Sequence, residues 1–256
     1  MIQNSTIVFG IFLKIFKIEI NTKMQIFNKQ NTINAIKSTY IFSSLSNEDL
    51  SKIAEIGKIK FFAKNEPIVK EGESGNSMFI ISSGKVKVVR IDEQDNEVIF
   101  SLLYKGDTFG ELSLIDGLSR SASCIAMEDT SVFILLRDNF LNIIQNNYNF
   151  TIDLLSSLSQ KLRKADFIIK NLSTKSAEKK VHNMLCMFIE DIGIVYQKKI
   201  RLNDLPMFGD IANMAGIARE TFSRVLHQME KDGLISIIGR TITIENYDKF
   251  INETKL

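Results

Sequence analysis

The chain has 256 residues, enough for one or two domains with ample core. Its 45% apolar and 24% charged content is that of an ordinary globular protein and excludes a disordered or fibrous chain. A net charge of +2 does not by itself call for a nucleic-acid partner, so any such claim must rest on local arrangement. Two cysteines, Cys124 and Cys186, lie far apart and exclude a disulfide framework; with His182 and His227 they also fall short of a four-cysteine iron–sulfur cluster. Both cysteines read as small core residues in a reducing compartment, and His227 as a surface residue of a helix.

Residues 1–39 form an N-terminal extension. Within it, Ile7 to Phe16 is strongly apolar but too short to span a membrane. It lacks a basic segment before it and a small-residue cleavage site after it, so a secretory signal is not expected and the protein reads as cytoplasmic with no membrane partner. Met24 is an alternative start, and residues 1–23 read as an amphipathic segment or as a stretch absent from the native protein. Leu45 to Ile56 has Leu50, Ile53 and Ile56 at helical spacing, with Ser46 or Asn47 as cap. From Lys58 the pattern changes to short Ile-, Val- and Phe-rich runs: Ile59–Phe62, Pro67–Lys70, Ser77–Ser82, Lys85–Ile91 and Glu97–Leu103. Turns fall at Glu73–Asn76, Ser83-Gly84 and Asp92–Asn96, and Val86 to Val89 is of the alternating kind. Ser131–Leu136 closes the series. Many short strands with regular turns predict a sandwich or roll.

Phe109 to Ala126, FGELSLIDGLSRSASCIA, is built to hold a phosphate. Gly110 permits close backbone approach, and a helical turn over Leu112–Asp116, beginning Leu112-Ser113, can aim its first amides at an anion. Arg120 offers a planar donor fork and Ser121 a hydroxyl, with the small Ala122 after them. Glu111 suits a sugar hydroxyl. The plain alternative is an ion pair between Glu111 and Arg120 across a turn; the glycines and small residues favour an anion nest. This stretch resembles the phosphate-binding cassette of cyclic-nucleotide-binding domains. The chain from about Tyr40 to Lys249 resembles the Crp/Fnr family of bacterial transcription regulators.

After a helix opening at Phe140–Gln145, residues 150–172 carry Leu155, Leu158, Leu162, Ala165, Ile169 and Leu172 in a heptad seam. The seam either packs on this chain's own core or pairs two subunits; the resemblance implies a parallel homodimer. In cyclic-AMP-responsive relatives this helix presents polar residues to the base. The matching positions are Ala165 and Asp166, so the familiar hydroxyl pair is absent. A carboxylate can accept from both the ring N–H and the exocyclic amine of guanine but only from the amine of adenine. Asp166 is therefore expected to bias the site toward cyclic GMP, unless it is simply a solvated acid beside the seam.

Ser173–Ser176 reads as a hinge, with Ser176 capping a helix over Ala177–Ile192 and a basic-apolar stretch following at Lys198–Leu202. Ile211 to Lys231 has the helix-turn-helix pattern, with Ala212 and Gly216 four apart and Ile211, Ile217, Phe222 and Val225 as apolar positions. Its second helix opens Ala218-Arg219-Glu220-Thr221-Phe222-Ser223-Arg224. Arg219 and Arg224 can grip guanine O6 and N7, and Glu220 can accept from cytosine N4. Thr221 and Ser223 suit phosphates. The plain alternative is a solvated helix with an Arg-Glu pair. The run resembles the family's recognition helix and implies a TGTGA-like half-site. Gly233 to Ile242 reads as a two-stranded wing with Arg240 near the DNA backbone. Where relatives carry phosphate-reaching polar residues at the start of the first helix, this chain has Met207, Phe208 and Gly209, which is expected to weaken binding and lower its salt dependence.

The expected architecture is α+β: a β-roll over 40–148, a dimerisation helix over 149–172 and a winged helix-turn-helix over 173–256. The expected protein is a homodimeric regulator of transcription, not an enzyme. Its effector would be cyclic AMP or cyclic GMP, shifting a population between two dimer states, and its partners double-stranded DNA and RNA polymerase. No metal or haem is expected, and no nucleophile–base set or nucleotide-hydrolysing loop appears. One alternative keeps the fold with a non-nucleotide effector or none. Another is a nucleotide-binding module acting through protein contacts.

Overall fold

The computed structural model describes residues 29–91, 93, 97–197 and 199–252. The expectations for residues 1–23, for Met24, for most of the turn Asp92–Asn96 and for Lys198 lie outside them. The chain divides into two compact units: residues up to 86 with 103–157, and 87–102 with those from 158 onward.

The first unit opens with α1 (Lys29–Lys37), a 3-10 turn (Tyr40–Phe42) and α2 (Asn47–Ile56). Helix α1 lies inside the stretch read as an extension, where no strong apolar period announced it. Helix α2 starts where expected because Ser46 Oγ accepts from Asp49 N at 3.1 Å, with Glu48 and Asp49 at the positive end of the helix dipole. Strands follow along the chain, with residues 87–102 of β4 and β5 falling in the second unit: β1 (Lys58–Phe62), β2 (Pro67–Val69), β3 (Ser77–Ser83), β4 (Val86–Ile91), β5 (Glu97–Leu103), β6 (Thr108–Phe109), β7 (Ser123–Ala126) and β8 (Thr130–Leu136). Their sheets have the orders β1-β8-β3-β6 and β2-β7-β4-β5. Strand β3 buries Met78 through Ser82 in succession, a doubly covered strand, whereas β4 buries Val86 and Val89 with Lys87 and Val88 half-buried. The expected two-residue alternation over Val86–Val89 is therefore not strict. Between β6 and β7 lies the short helix α3 (Leu112–Asp116).

Helix α4 (Arg137–Asn146) leads after one residue into the long α5 (Tyr148–Leu172). Phe150, at the start of α5, packs 5.0 Å from Phe42 and 6.0 Å from Phe140, all three fully buried, which fixes this end of the helix in the core. Farther along, the seam residues Leu155, Leu162 and Ile169 are 54%, 65% and 62% exposed, so this chain's own core does not cover them.

The second unit contains α6 (Ala177–Ile192), β9 (Ile194–Tyr196), β10 (Lys199–Leu202), α7 (Phe208–Ala215), α8 (Arg219–Lys231), β11 (Ile235–Ile238), β12 (Thr241–Ile244) and α9 (Tyr247–Asn252), with sheet order β11-β12-β10-β9. Ser176 Oγ accepts from Lys179 N at 3.3 Å and caps α6 as expected. Met184, Leu185 and Phe188 of α6 and Phe222 and Leu226 of α8 form its core. Cys186 is half-buried and burial pushes its thiol up to about 11, while Cys124 is buried. Within this unit Asn213 of α7 donates from Nδ2 to Glu97 O at 2.6 Å and accepts from Ile99 N at 3.1 Å. The fold is α+β: a β-roll, a long helix and a winged helix-turn-helix.

Candidate functional site

The phosphate cassette is organised from Arg120 outward. Its side chain is 5% exposed and donates from Nη1 to Gly110 O at 2.7 Å and from Nη2 to Ser77 O at 2.7 Å. A weaker bond runs from Nη2 to Ser77 Oγ at 3.3 Å. The main chain is held as tightly: Arg120 N donates to Glu73 O at 2.8 Å, Gly72 N donates to Arg120 O at 2.9 Å, and Ser74 bridges Ser119. The guanidinium lies 5.5 Å from the centre of the Phe79 ring, which itself stacks on Phe109 at 4.9 Å. Burial lowers the Arg120 pKa, and the nearby Cys124, Glu111 and Glu73 oppose that shift; an arginine stays charged in such a setting.

Two glycines make the room. A Cβ on Gly110 would stand 2.7 Å from Arg120 Nη1, and the residue has φ +81°, which favours glycine. A Cβ on Gly75 would stand 2.3 Å from Ser113 Cβ and 3.1 Å from Arg120 Cζ. Gly75 and Ser77 were not singled out from the sequence as site residues; a glycine in a turn was the only signal.

Glu111, Ser113 and Ala122 are buried around this arginine, and Leu112 and Ser121 are exposed. Helix α3 is shut at its far end by Gly117, whose N–H donates to Ser113 O at 3.2 Å. The set could hold an anionic group with a hydroxyl-bearing substituent: it offers a buried cation with further N–H donors on its fork, an exposed hydroxyl beside it, amides at the start of α3, and a buried carboxylate that can accept from a hydroxyl. Ala165 and Asp166 belong to the second unit, where both are exposed on α5.

In the second unit, α7 ends at Gly216, with φ +61°, and α8 starts three residues later. Lys180 Nζ donates to Gly216 O at 3.3 Å, and a Cβ on Gly216 would meet Leu172 Cδ2 at 2.7 Å. Phe222, Val225, Leu226 and Met229 bury one face of α8. Arg219, Glu220 and Arg224 are therefore turned outward and exposed, with Thr221 and Ser223 half-buried at the margin. At the start of α7, Met207 is 60% exposed and Phe208 packs 5.8 Å from Phe222, so the aromatic there serves the core. The wing is the hairpin β11–β12, in which Ile238 pairs with Thr241. Arg240, at its turn, is exposed, with Nη2 3.8 Å from Asp204 Oδ1. Among the described residues no cluster fit for a metal ion occurs, and no helix is long and apolar enough to cross a membrane.

A buried arginine in a glycine-framed cassette, followed by a winged helix-turn-helix, defines a ligand-binding regulator of DNA. Residues 59–147 match the family described as cyclic nucleotide-binding domain, and residues 185–252 the Crp-like helix-turn-helix domain. The cyclic AMP receptor protein of Thermus thermophilus is 30% identical over 210 residues, covering 82% of this chain and 94% of that protein. Human cGMP-dependent protein kinase 2 is 35% identical over 109 residues, 42% of this chain and 14% of the kinase. The structure of FixK2 from Bradyrhizobium japonicum superposes with TM-score 0.68 at 24% identity, over 77% of this chain and 96% of that one, and shares the fold. The chain belongs to the Crp/Fnr family. It is a transcription regulator with a cyclic-nucleotide-binding domain and a DNA-binding helix-turn-helix, and its family is one of regulators rather than enzymes.

Proposed function

We propose that this regulator is switched by a purine cyclic nucleotide and binds a palindromic, TGTGA-like operator as a homodimer. The observation that carries the reading is the buried Arg120, held by Gly110 O and Ser77 O beside buried Glu111, within the segment that matches the nucleotide-binding family. Gly110, Glu111, Leu112, Ser113, Arg120, Ser121 and Ala122 form the phosphate and ribose site. Arg219, Glu220 and Arg224 read bases, while Thr221, Ser223 and Arg240 contact the DNA backbone. The exposed seam of α5 supports dimerisation, since large apolar residues in a heptad register are otherwise left in water. RNA polymerase is the expected further partner, and the cytoplasm the expected compartment.

The relatives named above carry both nucleotides in their names. Asp166 tips the reading toward cyclic GMP by the acceptor argument. Calorimetric titration with cyclic AMP, cyclic GMP and linear AMP tests the site. One cyclic nucleotide binds and the linear one does not, and Asp166→Ala narrows the cyclic GMP preference by about tenfold, one good hydrogen-bond pair. An unchanged preference removes Asp166 from base recognition. Ala165 and Asp166, in place of a hydroxyl pair, favour a second reading in which the effector is not a nucleotide or is absent; failure of all three titrations, with operator binding retained, would move the trigger to another ligand or to none.

A further inference from the structure

Helix α3 has five residues and opens at the buried Glu111, within the proposed anion site. Its other end is held from another part of the chain: Arg137 Nε donates to Leu114 O at 3.0 Å. Arg137 is the first residue of α4, and its backbone N–H donates at 3.1 Å to Asn76 O. Asn76 adjoins Ser77, whose carbonyl and hydroxyl take the Nη2 of Arg120. The half-buried Arg137 thus joins the helix under the phosphate site, the loop that supports Arg120, and the first turn of α4.

The path continues without a flexible gap. One residue, Asn147, separates α4 from α5. Asn147 N donates to Ile143 O at 2.9 Å, Asn147 Oδ1 accepts from Phe150 N at 3.0 Å, and Thr151 Oγ1 donates to Ile144 O at 2.9 Å. Phe140 of α4 and Phe150 of α5 are packed edge to face. These bonds and the ring contact join α4 directly to the start of the seam-bearing helix.

We propose that Arg137 is a positioning residue that transmits occupancy of the phosphate cassette to α4 and α5. An anion drawing on Arg120 and on the α3 amides shifts a short, rigid helix whose far carbonyl is bonded to Arg137. The cationic side chain is suited to the negative end of that helix. The inference rests on the nucleotide-controlled reading above.

The test uses full-length wild type, Arg137→Met, which keeps an apolar stem but removes the donors, and Arg137→Lys, which restores a cation. Calorimetry reads nucleotide affinity, fluorescence anisotropy reads operator affinity with and without nucleotide, and hydrogen exchange reads protection over residues 148–157. In Arg137→Met, nucleotide affinity should stay within about threefold of wild type while the nucleotide-dependent gain in operator affinity falls by about tenfold. The nucleotide-induced change in protection over 148–157 should vanish, and Arg137→Lys should recover part of both. A variant that keeps the full gain overturns the proposal. So does one whose nucleotide affinity, basal operator affinity and melting temperature fall together with no separate loss of coupling. A wild type whose operator affinity ignores both cyclic nucleotides instead overturns the functional reading, and the inference with it.

Discussion

Arg120 and Arg224 carry the same group in opposite surroundings. In the cassette, the guanidinium is 5% exposed and held by two carbonyls at 2.7 Å, with its own backbone tied down at both N and O. On α8, Arg224 is exposed, and its position is set by the helix register that buries Phe222, Val225 and Leu226. The first arrangement suits a small ligand, because a preorganised donor loses little freedom on binding. The second suits DNA, where a long solvated side chain adapts to a base edge at the moment of docking. On the proposed roles, stability and function should be coupled in the cassette and separable on α8.

Removing the buried arginine gives the largest effect. Arg120→Gln should weaken cyclic-nucleotide binding by roughly a hundredfold or more, the worth of one or two charge-assisted hydrogen bonds. It should also destabilise the fold by about 1–3 kcal/mol, since Gly110 O and Ser77 O lose a buried donor. Calorimetry and thermal denaturation check the two parts. A nucleotide defect with an unchanged melting temperature would show that the cassette is not built around this side chain.

Arg224→Ala should cost about 1–3 kcal/mol of operator binding and relax the preference at one base position. Its melting temperature should move little, an exposed substitution being worth within about 0.5 kcal/mol. Anisotropy titrations against operator variants, paired with melting curves, provide the check. A stability loss as large as that of Arg120→Gln would erase the distinction between the regions.

The smallest effect sharpens the same contrast at the wing sheet. Glu245 bonds Lys199, and also accepts from Ser236 Oγ at 2.7 Å; these bonds, Lys199 first, hold its carboxyl below the usual carboxylate value. A depressed folded-state pKa contributes stability that is present above the unfolded value and lost as pH falls through the folded one. Because the pair is only partly buried, solvent screening keeps the contribution small. Unfolding of wild type and Glu245→Gln should therefore differ slightly at pH 7 and converge as pH falls through the acidic range below about 4. A gap that widens on acidification would reverse the sign of this argument.

Much of the candidate site was legible because its residues are neighbours in the chain. Gly110 to Ala122 lies on one continuous stretch, as do Arg219 to Arg224, and a motif survives in sequence when its geometry is local. Other parts were not legible. Gly75, Ser77 and Arg137 join the cassette from outside that stretch, Ser77 from 43 residues away, and beyond the turn that holds Gly75 nothing in their own neighbourhoods marks them. Helix α1 and strand β9 were not foreseen, β9 being a three-residue edge strand exposed throughout.

By itself the sequence determined the order of parts: a run of short strands, an anion cassette, a heptad seam, and a helix-turn-helix with a wing. Each is written in periodicity or in residue types at fixed short spacing, which local backbone geometry converts directly into structure. Packing between distant segments set which carbonyls hold Arg120, which carbonyl of α3 is tied to Arg137, and which residues of α5 stay exposed. Those outcomes depend on segments that meet only after the sheets and the phenylalanine core have formed, where burial turns a generic arginine into a fixed one.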